Sequence, residues 1–454
     1  MTAGTTCKGR WAMDRRKFVA AGVAASAAAG LSAEPALAAE GGAPVRTEPL
    51  NAGYWGTQFY GEEEREQLLN VLETRRPFRW YGTGRQAPDK VAAFEKEFAA
   101  RMGAKYALAV TSGTAALQCA MAALEVGPGD EVVLPAWTWH SCYAAIVLAG
   151  ALPVFAEIDE SFDIDPEDLE RKITPRTKVV MAVHLQGMPA NMDRVLEVAR
   201  RRKVRVLEDC AQSVGGSYKG KPLGSMGDIG IYSLQLNKSI TAGEGGAVVT
   251  SDPVLLERAS RFHDVGGFRA PHEQWVGKAR LTPFVGTNFR MNEFSGGVLL
   301  AQLRKLDKIV GGVRANAARV YAGIADLPGL RTRLRNDVEG DIGTAVFAGF
   351  PTQRQRDRFM ELMRAENVPA RPPSGSVILP VQPYVEAKAT VHPAWPSFTS
   401  PRGKAIRYGA EACPKTLDIL SRFAGVAMDP KFTKRDTDDV IAAFRKVHGA
   451  ALKA

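Results

Sequence analysis

A lysine, an aspartate, an aromatic ring and a hydroxyl-rich turn are the groups in this chain whose types and surroundings could do chemistry together. Lys238 stands between an apolar run and the glycine-rich stretch Gly243-Glu244-Gly245-Gly246. An amine drawn into a cleft loses its charge readily and turns nucleophilic toward aldehydes, whereas a lysine on a surface loop stays protonated and inert. The sequence around Lys238 allows both. Asp209 follows an apolar run and could cap a helix, or accept a hydrogen bond from a pyridinium nitrogen and keep it protonated. Trp139 could stack on a flat ring or fill a core. Ser112-Gly113-Thr114 opens a helical pattern. Hydroxyls and free backbone N–H groups there make an anion site suited to phosphate, and the same serine would serve as an ordinary N-cap. His184 follows another apolar run and reads equally as structural or as support for a site.

The elements that must bring these groups together are strands. Between residues 100 and 250 seven β-rich apolar runs recur, at 105–110, 131–134, 152–157, 178–183, 204–208, 229–234 and 247–250. Helix-length segments separate several of them. In 113–124, Leu117, Ala120, Met121 and Leu124 fall at helical spacing, and in 192–202 Val195, Val198 and Ala199 do the same. Strands alternating with helices predict βαβ units and an α/β fold, a mostly parallel seven-stranded sheet with helices on both faces. Such sheets bind ligands beyond the carboxyl ends of their strands. Past the ends of these runs come Thr111-Ser112-Gly113-Thr114, Pro135 to Trp139, His184, Asp209 to Gln212, and Gln235 to Lys238. One edge of one sheet therefore gathers all the groups named above. A lysine for a Schiff base, an aspartate for a pyridinium, an aromatic to stack and a helix N-terminus for phosphate are the requirements of pyridoxal phosphate (PLP), whose protonated ring acts as an electron sink.

Six stretches occur in order: TSGTAAL (111–117), GDEVVLPAWTW (129–139), ITPRTKVVMAVHLQGMPANMD (173–193), EDCAQSVGGSYKGKPLGSMGDIG (208–230), YSLQLNKSITAGEGGAVVTSD (232–252) and GTNFRMNEFSGGVLLAQLRKLD (286–307). In them the chain resembles the DegT/DnrJ/EryC1/StrS family of PLP-dependent sugar and aminocyclitol aminotransferases, of aspartate-aminotransferase-like fold. The resemblance spans roughly residues 50–450. It implies that Lys238 forms the Schiff base and shuttles the substrate proton, that Asp209 partners the pyridinium, and that Gln212 lies near the ring hydroxyl. Trp139 is implied as the stacking aromatic, with Trp137 packing nearby. Ser112, Gly113 and Ser233 are implied as phosphate contacts, with Thr114 beside them. Asn288 is implied to reach the phosphate from the partner subunit of a homodimer, with Arg290 supporting its loop. The implied reaction moves an amino group from L-glutamate or L-glutamine to a keto sugar or keto-cyclitol. Leu234 and His140-Ser141-Cys142 depart from the family's usual aromatic and small-apolar-plus-Thr pattern, and both border the pocket. A PLP-dependent sugar dehydratase of the same family would carry His at the lysine position, so Lys238 opposes that alternative. A non-catalytic PLP-binding or regulatory member is the other rival.

Composition sets the frame for this reading. With 454 residues, 45% hydrophobic and 24% charged, the chain is an ordinary globular protein long enough for more than one domain. The net charge is +10, of which residues 1–39 carry +3. No basic block is interleaved with aromatics, so an anionic small molecule fits the charge better than nucleic acid does. Five scattered cysteines without a C-x-x-C suggest neither a disulfide framework nor a zinc site, and no metal is expected. Walker A, H-E-x-x-H and G-x-S-x-G motifs are absent from the sequence.

The N-terminus reads as a leader. Asp14-Arg15-Arg16-Lys17-Phe18 precedes a short Ala/Gly/Val stretch, too short to span a membrane, and then Ala36-Leu37-Ala38, an A-x-A cleavage signature. This resembles a Tat export signal and points to a periplasmic or exported protein. An Ala-rich N-terminal helix of a cytoplasmic protein is the alternative, and Met13 could be the start. The expected organisation is a leader (1–39), a PLP-binding large domain (40–310, whose first residues could join the small domain) and a smaller C-terminal α/β domain (311–454). The last of these ends in a helix with Val440, Ile441, Phe444 and Val447 on one face.

Overall fold

The computed structural model describes residues 36–82 and 87–454. The twin arginine and apolar stretch of the leader lie outside the described residues. Seven strands form one sheet: β1 (Tyr106–Val110), β2 (Glu131–Pro135), β3 (Leu152–Ala156), β4 (Thr177–Val183), β5 (Arg205–Asp209), β6 (Ile229–Ser233) and β7 (Gly246–Thr250). Each of the seven apolar runs becomes one of these strands, with ends shifted by a residue or so. Their order is β1-β7-β6-β5-β4-β2-β3. β7 is antiparallel to both neighbours and the remaining pairs are parallel. The carboxyl ends of β1, β2, β4, β5 and β6 therefore share one edge.

Why the strands read as continuous apolar runs is visible in their packing. Ala107, Ala109, Val133, Val180, Ala182 and Val206 face one core, and the alternating Leu108, Val110, Val132, Leu134, Val179, Met181 and Leu207 face another. Both faces are covered, as a parallel sheet requires. On the first face lie α1 (Lys90–Arg101) with Phe94 and Phe98. On the second lie α2 (Gly113–Ala123) and α3 (His140–Leu148), with Ala116, Ala120 and Ile146. The first face also takes α4 (Met192–Arg202) through Val195 and Val198. Its Arg200–Lys203 end is a solvated face, where Arg201 and Arg202 pair with Glu170. The second face also takes α5 (Pro253–His263) through Leu255 and Leu256.

A smaller antiparallel sheet follows, β8 (Arg331–Thr332), β9 (Ala345–Gly349) and β10 (Phe423–Ala427), with β9 central. It packs under the closing helix α6 (Lys434–Leu452), which buries Val440, Phe444 and Val447. Residues 36–454 form one compact unit, and the core on the first face of the large sheet runs on into the small one. Residues 36–50 lie against this C-terminal third. Leu37 and Leu50 are buried, and the Glu366 carboxylate accepts from Ala38 N and Val45 N (2.9 Å each) and Lys446 Nζ (2.8 Å). No helix among the described residues is long and apolar enough to cross a membrane.

The segment between β9 and β10 makes one excursion that matters for the site. Val377–Ile378 pairs antiparallel with Trp137–Thr138, and Leu379 N donates to Ala136 O at 2.8 Å. A stretch some 240 residues away in sequence thus walls the turn between β2 and α3.

Candidate active site

Ser112 N-caps α2, its Oγ accepting from Ala115 N at 3.1 Å. The first N–H groups of the helix, at Gly113 and Thr114, take no intrahelical partner and carry the positive end of the dipole. Ser233 closes β6 beside them. A Cβ on Gly113 would lie 2.7 Å from Ser233 Cβ and 3.1 Å from its Oγ. Glycine is required here by the close approach of two backbones, not by its own φ angle. On the other side Thr114 Oγ1 meets Ser141 Oγ at 2.6 Å. Ser112, Gly113, Thr114 and Ser233 therefore form one hydroxyl-lined cradle at a helix N-terminus, the arrangement an oxyanion such as phosphate needs.

Asp209 is the last residue of β5 and is buried. Its Oδ1 accepts from Ala211 N at 2.9 Å and its Oδ2 from Cys142 Sγ at 3.1 Å. Burial raises its pKa above the ordinary carboxylate range, against the pull of the Ala211 N–H, the Cys142 thiol, Lys238 and His184. Lys238 sits near enough to feel Asp209. Burial lowers the pKa of its amine, against the opposing attraction of the Asp209 charge. Both shifts have the same origin, the cost of holding a charge away from water. An amine biased toward its neutral form next to a carboxylate is what nucleophilic attack on an aldehyde requires.

Trp139 stands at the N-cap position of α3 and is 51% exposed, its ring meeting His140 edge-to-face at 5.0 Å between centroids. Trp137, two residues earlier, is buried edge-on against Phe162. Gln212 follows Asp209 on the same edge, and its amide is engaged: Oε1 accepts from Gln186 N (3.2 Å), and Nε2 donates to Gly375 O (3.0 Å) and Ser376 Oγ (2.8 Å). Asn288 is exposed, its Oδ1 accepting from Arg290 N, while Arg290 itself is clamped to the buried Asp264. Residues 289–290 run beside the end of β1, with Thr111 N donating to Phe289 O at 3.0 Å. The structure thus gathers Ser112, Gly113, Thr114, Ser233, Asp209 and Lys238 along one edge, with Trp139 and Gln212 at its rim and Asn288 on an outward face.

His184 is wholly buried. Ala190 N donates to its Nδ1 (3.0 Å), which leaves the proton on Nε2, pointing at Glu208 Oε2 (3.1 Å). Glu208 also accepts from Gly224, Met226 and Gly227 N–H groups. Burial raises the Glu208 pKa, but His184 and these N–H groups outweigh it and hold the carboxyl below its usual range. His184, Glu208 and Cys210 bring potential metal-ligand atoms within 4.8 Å of one another. Both imidazole nitrogens are already bonded, so the histidine ties the segment after β4, through Ala190, to Glu208 of β5.

Two features of the site have no local sequence signal. Tyr384 OH meets His140 Nδ1 at 2.6 Å, and Gln186, at φ 54°, has its carbonyl held by Arg333 and Thr344. These partners lie about 150 to 240 residues from the motifs they support.

The donor set fits PLP. A hydroxyl cradle at a helix N-terminus, a buried carboxylate, an amine biased toward neutrality and an exposed indole face meet the needs of its phosphate, ring nitrogen, aldehyde and ring face in turn. Known proteins agree. The DegT/DnrJ/EryC1/StrS aminotransferase family matches residues 61–445. An L-glutamine:2-deoxy-scyllo-inosose aminotransferase of Micromonospora echinospora is 35% identical over 64% of this chain and 69% of its own. A GDP-perosamine synthase of Caulobacter vibrioides is 40% identical over 57% of this chain and 68% of its own. The crystal structure of 3-amino-5-hydroxybenzoic acid synthase superposes with a TM-score of 0.71 at 29% identity, covering 91% of this chain and 100% of that one. With the family matched across most of the chain, and the fold matched with it, this chain belongs to the DegT/DnrJ/EryC1/StrS aminotransferase family and is a PLP-dependent aminotransferase.

Proposed function

We propose that this chain transfers the amino group of L-glutamine or L-glutamate to the keto group of a cyclitol or sugar. The observation that carries the assignment of roles is that buried Asp209 ends β5 and Lys238 follows the adjacent parallel strand β6, on the same strand edge as the Ser112–Ser233 cradle. Ser112, Gly113, Thr114 and Ser233 would hold the phosphate, Trp139 the ring face and Asp209 the ring nitrogen. PLP supplies the aldehyde carbon and an electron-withdrawing ring.

The protein's own groups do the rest. Lys238 Nζ, whose pKa burial lowers, would be the amine that holds the cofactor's aldehyde carbon, with loss of water, and that a substrate amine would replace. The same Nζ, once free, would be the base that takes the proton from the substrate carbon bearing the amino group and returns it to the cofactor side. Asp209 would accept a hydrogen bond from the ring nitrogen and favour its protonated form. Asn288 is exposed and next to the β1 end, and we assign it to the partner's cradle in a homodimer. Gln212 lies at the rim, where release of its amide from residues 375–376 would let it turn to the ring hydroxyl.

The similarity to a 2-deoxy-scyllo-inosose aminotransferase and to a GDP-perosamine synthase supports this acceptor class. The test is incubation of the PLP-loaded protein with L-[α-15N]glutamine or glutamate and a panel of keto-cyclitols and nucleotide-linked keto sugars, read by mass spectrometry. A labelled amino-cyclitol or amino sugar supports the assignment. Donor conversion with every acceptor unlabelled refutes the acceptor class.

A further inference from the structure

Asp209 is held by two donors, and the second is unusual. Its Oδ1 accepts from the rigid backbone N–H of Ala211, and its Oδ2 from the thiol of Cys142 at 3.1 Å. Thr138 Oγ1 lies 3.2 Å from the same sulfur. Thr138 and Cys142 are wholly or almost wholly buried. An ionised carboxylate can only accept, so the one S–H proton points at Oδ2 and the Thr138 hydroxyl donates to the sulfur. The direction of the chain is therefore fixed: Thr138 to Cys142 to Asp209.

Each link is anchored on a different element. Thr138 lies in the two-residue strand paired with Val377–Ile378, Cys142 in the first turn of α3, and Asp209 at the end of β5. The contact closes 67 residues of chain. Carboxylates rotate about their Cβ–Cγ bond unless both oxygens are held. With only the Ala211 N–H, Oδ2 would be free to swing.

We propose that Cys142 is a positioning residue for the reaction, acting through Asp209: its thiol, backed by Thr138, fixes the rotation of the carboxylate that meets the pyridine nitrogen. The inference rests on the assignment of Asp209 to that nitrogen. It goes beyond it in giving the thiol a role at the ring nitrogen and none in holding phosphate or substrate. Burial and the Asp209 charge raise the thiol pKa, so the sulfur stays protonated and remains a donor.

The experiment compares wild type, Cys142→Ala and Cys142→Ser as apo-proteins titrated with PLP and with 1-deaza-PLP, in which a C–H replaces the ring nitrogen. Binding is read by visible absorption. A donor to a charged acceptor is lost in Cys142→Ala, and a thiol is a weak one, so PLP binding should weaken roughly 3- to 10-fold. The deaza analogue, which cannot use Asp209, should bind wild type and Cys142→Ala alike, and Cys142→Ser should restore PLP binding. Equal PLP affinity in wild type and Cys142→Ala, or equal losses with both analogues, would overturn the proposal and leave the sulfur as packing. Infrared spectroscopy of wild type against Cys142→Ser covers the case in which the alanine variant does not fold. The S–H stretch lost in the serine variant should lie below that of Cys119, and a Cys142 band at the same frequency as Cys119 overturns the proposal. A wild-type protein that takes up no PLP would instead refute the assignment of Asp209, a separate failure that the infrared band does not share.

Discussion

Replacing Gly113 by alanine tests the phosphate cradle with a single carbon atom. The added Cβ would come 2.7 Å from Ser233 Cβ, 3.1 Å from Ser233 Oγ and 3.2 Å from Ser233 Cα. Ordinary carbon–carbon contact is about 3.5–4.0 Å, so β6 and the start of α2 must part by about 1 Å. Both belong to the packed core of the sheet, where overpacking by one carbon costs about 1–3 kcal/mol. Any parting also moves the Gly113 and Thr114 N–H groups away from Ser233, and they are the donors a phosphate would use. A loss of about 1.4–2.7 kcal/mol there is a roughly 10- to 100-fold weaker PLP affinity. The assay is titration of the apo-protein with PLP and with pyridoxal, which lacks the phosphate. Affinity for PLP should fall and that for pyridoxal should change little. Gly311, around which a Cβ would meet nothing within 4 Å, is the control: Gly311→Ala should stabilise its helix by about 0.5–1 kcal/mol and leave PLP binding alone. A Gly113→Ala protein that binds PLP as tightly as wild type would refute the cradle.

Three further outcomes are expected. Glu95 is buried, which raises its pKa, but the Arg79 charge, His272 and the Ala109 N–H outweigh this and hold it at about 2. Because this folded-state value lies below the ordinary 4.5, its stabilisation is complete above pH 4.5 and is lost as pH falls toward 2. The stability gap between wild type and Glu95→Gln, on the order of 3 kcal/mol at neutral pH, should therefore shrink over that window, and a gap independent of pH would contradict the pairing. Deleting residues 1–38 removes the buried Leu37 and one of three donors to Glu366, and should cost about 2–3 kcal/mol against deletion of 1–35 in thermal or urea unfolding. His184→Leu strands the Ala190 N–H and removes a donor from Glu208, which should destabilise the fold by about 2–4 kcal/mol without abolishing PLP binding.

The sheet and its functional edge were legible because parallel strands buried on both faces leave long apolar runs, and because their carboxyl ends carry chemistry within a few residues. Asp209 ends such a run, and Ser112 and Lys238 follow theirs within two to five residues, so local reading places them on one edge. In sequence His184 admits two readings, since a histidine at a strand end looks the same whether it faces a ligand or a carboxylate. Its bond to Glu208, the residue just before Asp209, decides for the carboxylate. What the sequence could not show are walls built from distant chain. Tyr384, Gly375 and Ser376 come from an excursion between two strands of the small sheet, without periodicity or motif to mark them. Glu366 likewise gathers Ala38, Val45 and Lys446 across more than 300 residues, a contact no local pattern encodes.

The measurement closest to the central claim is the visible absorption spectrum of the purified protein, beside Lys238→Ala, before and after L-glutamine or L-glutamate. The account predicts a yellow band in the wild type that bleaches with one of the donors and is absent from Lys238→Ala. A wild type that takes up PLP yet shows the same spectrum as Lys238→Ala, unchanged by either donor, would contradict the assignment of Lys238 as the nucleophile.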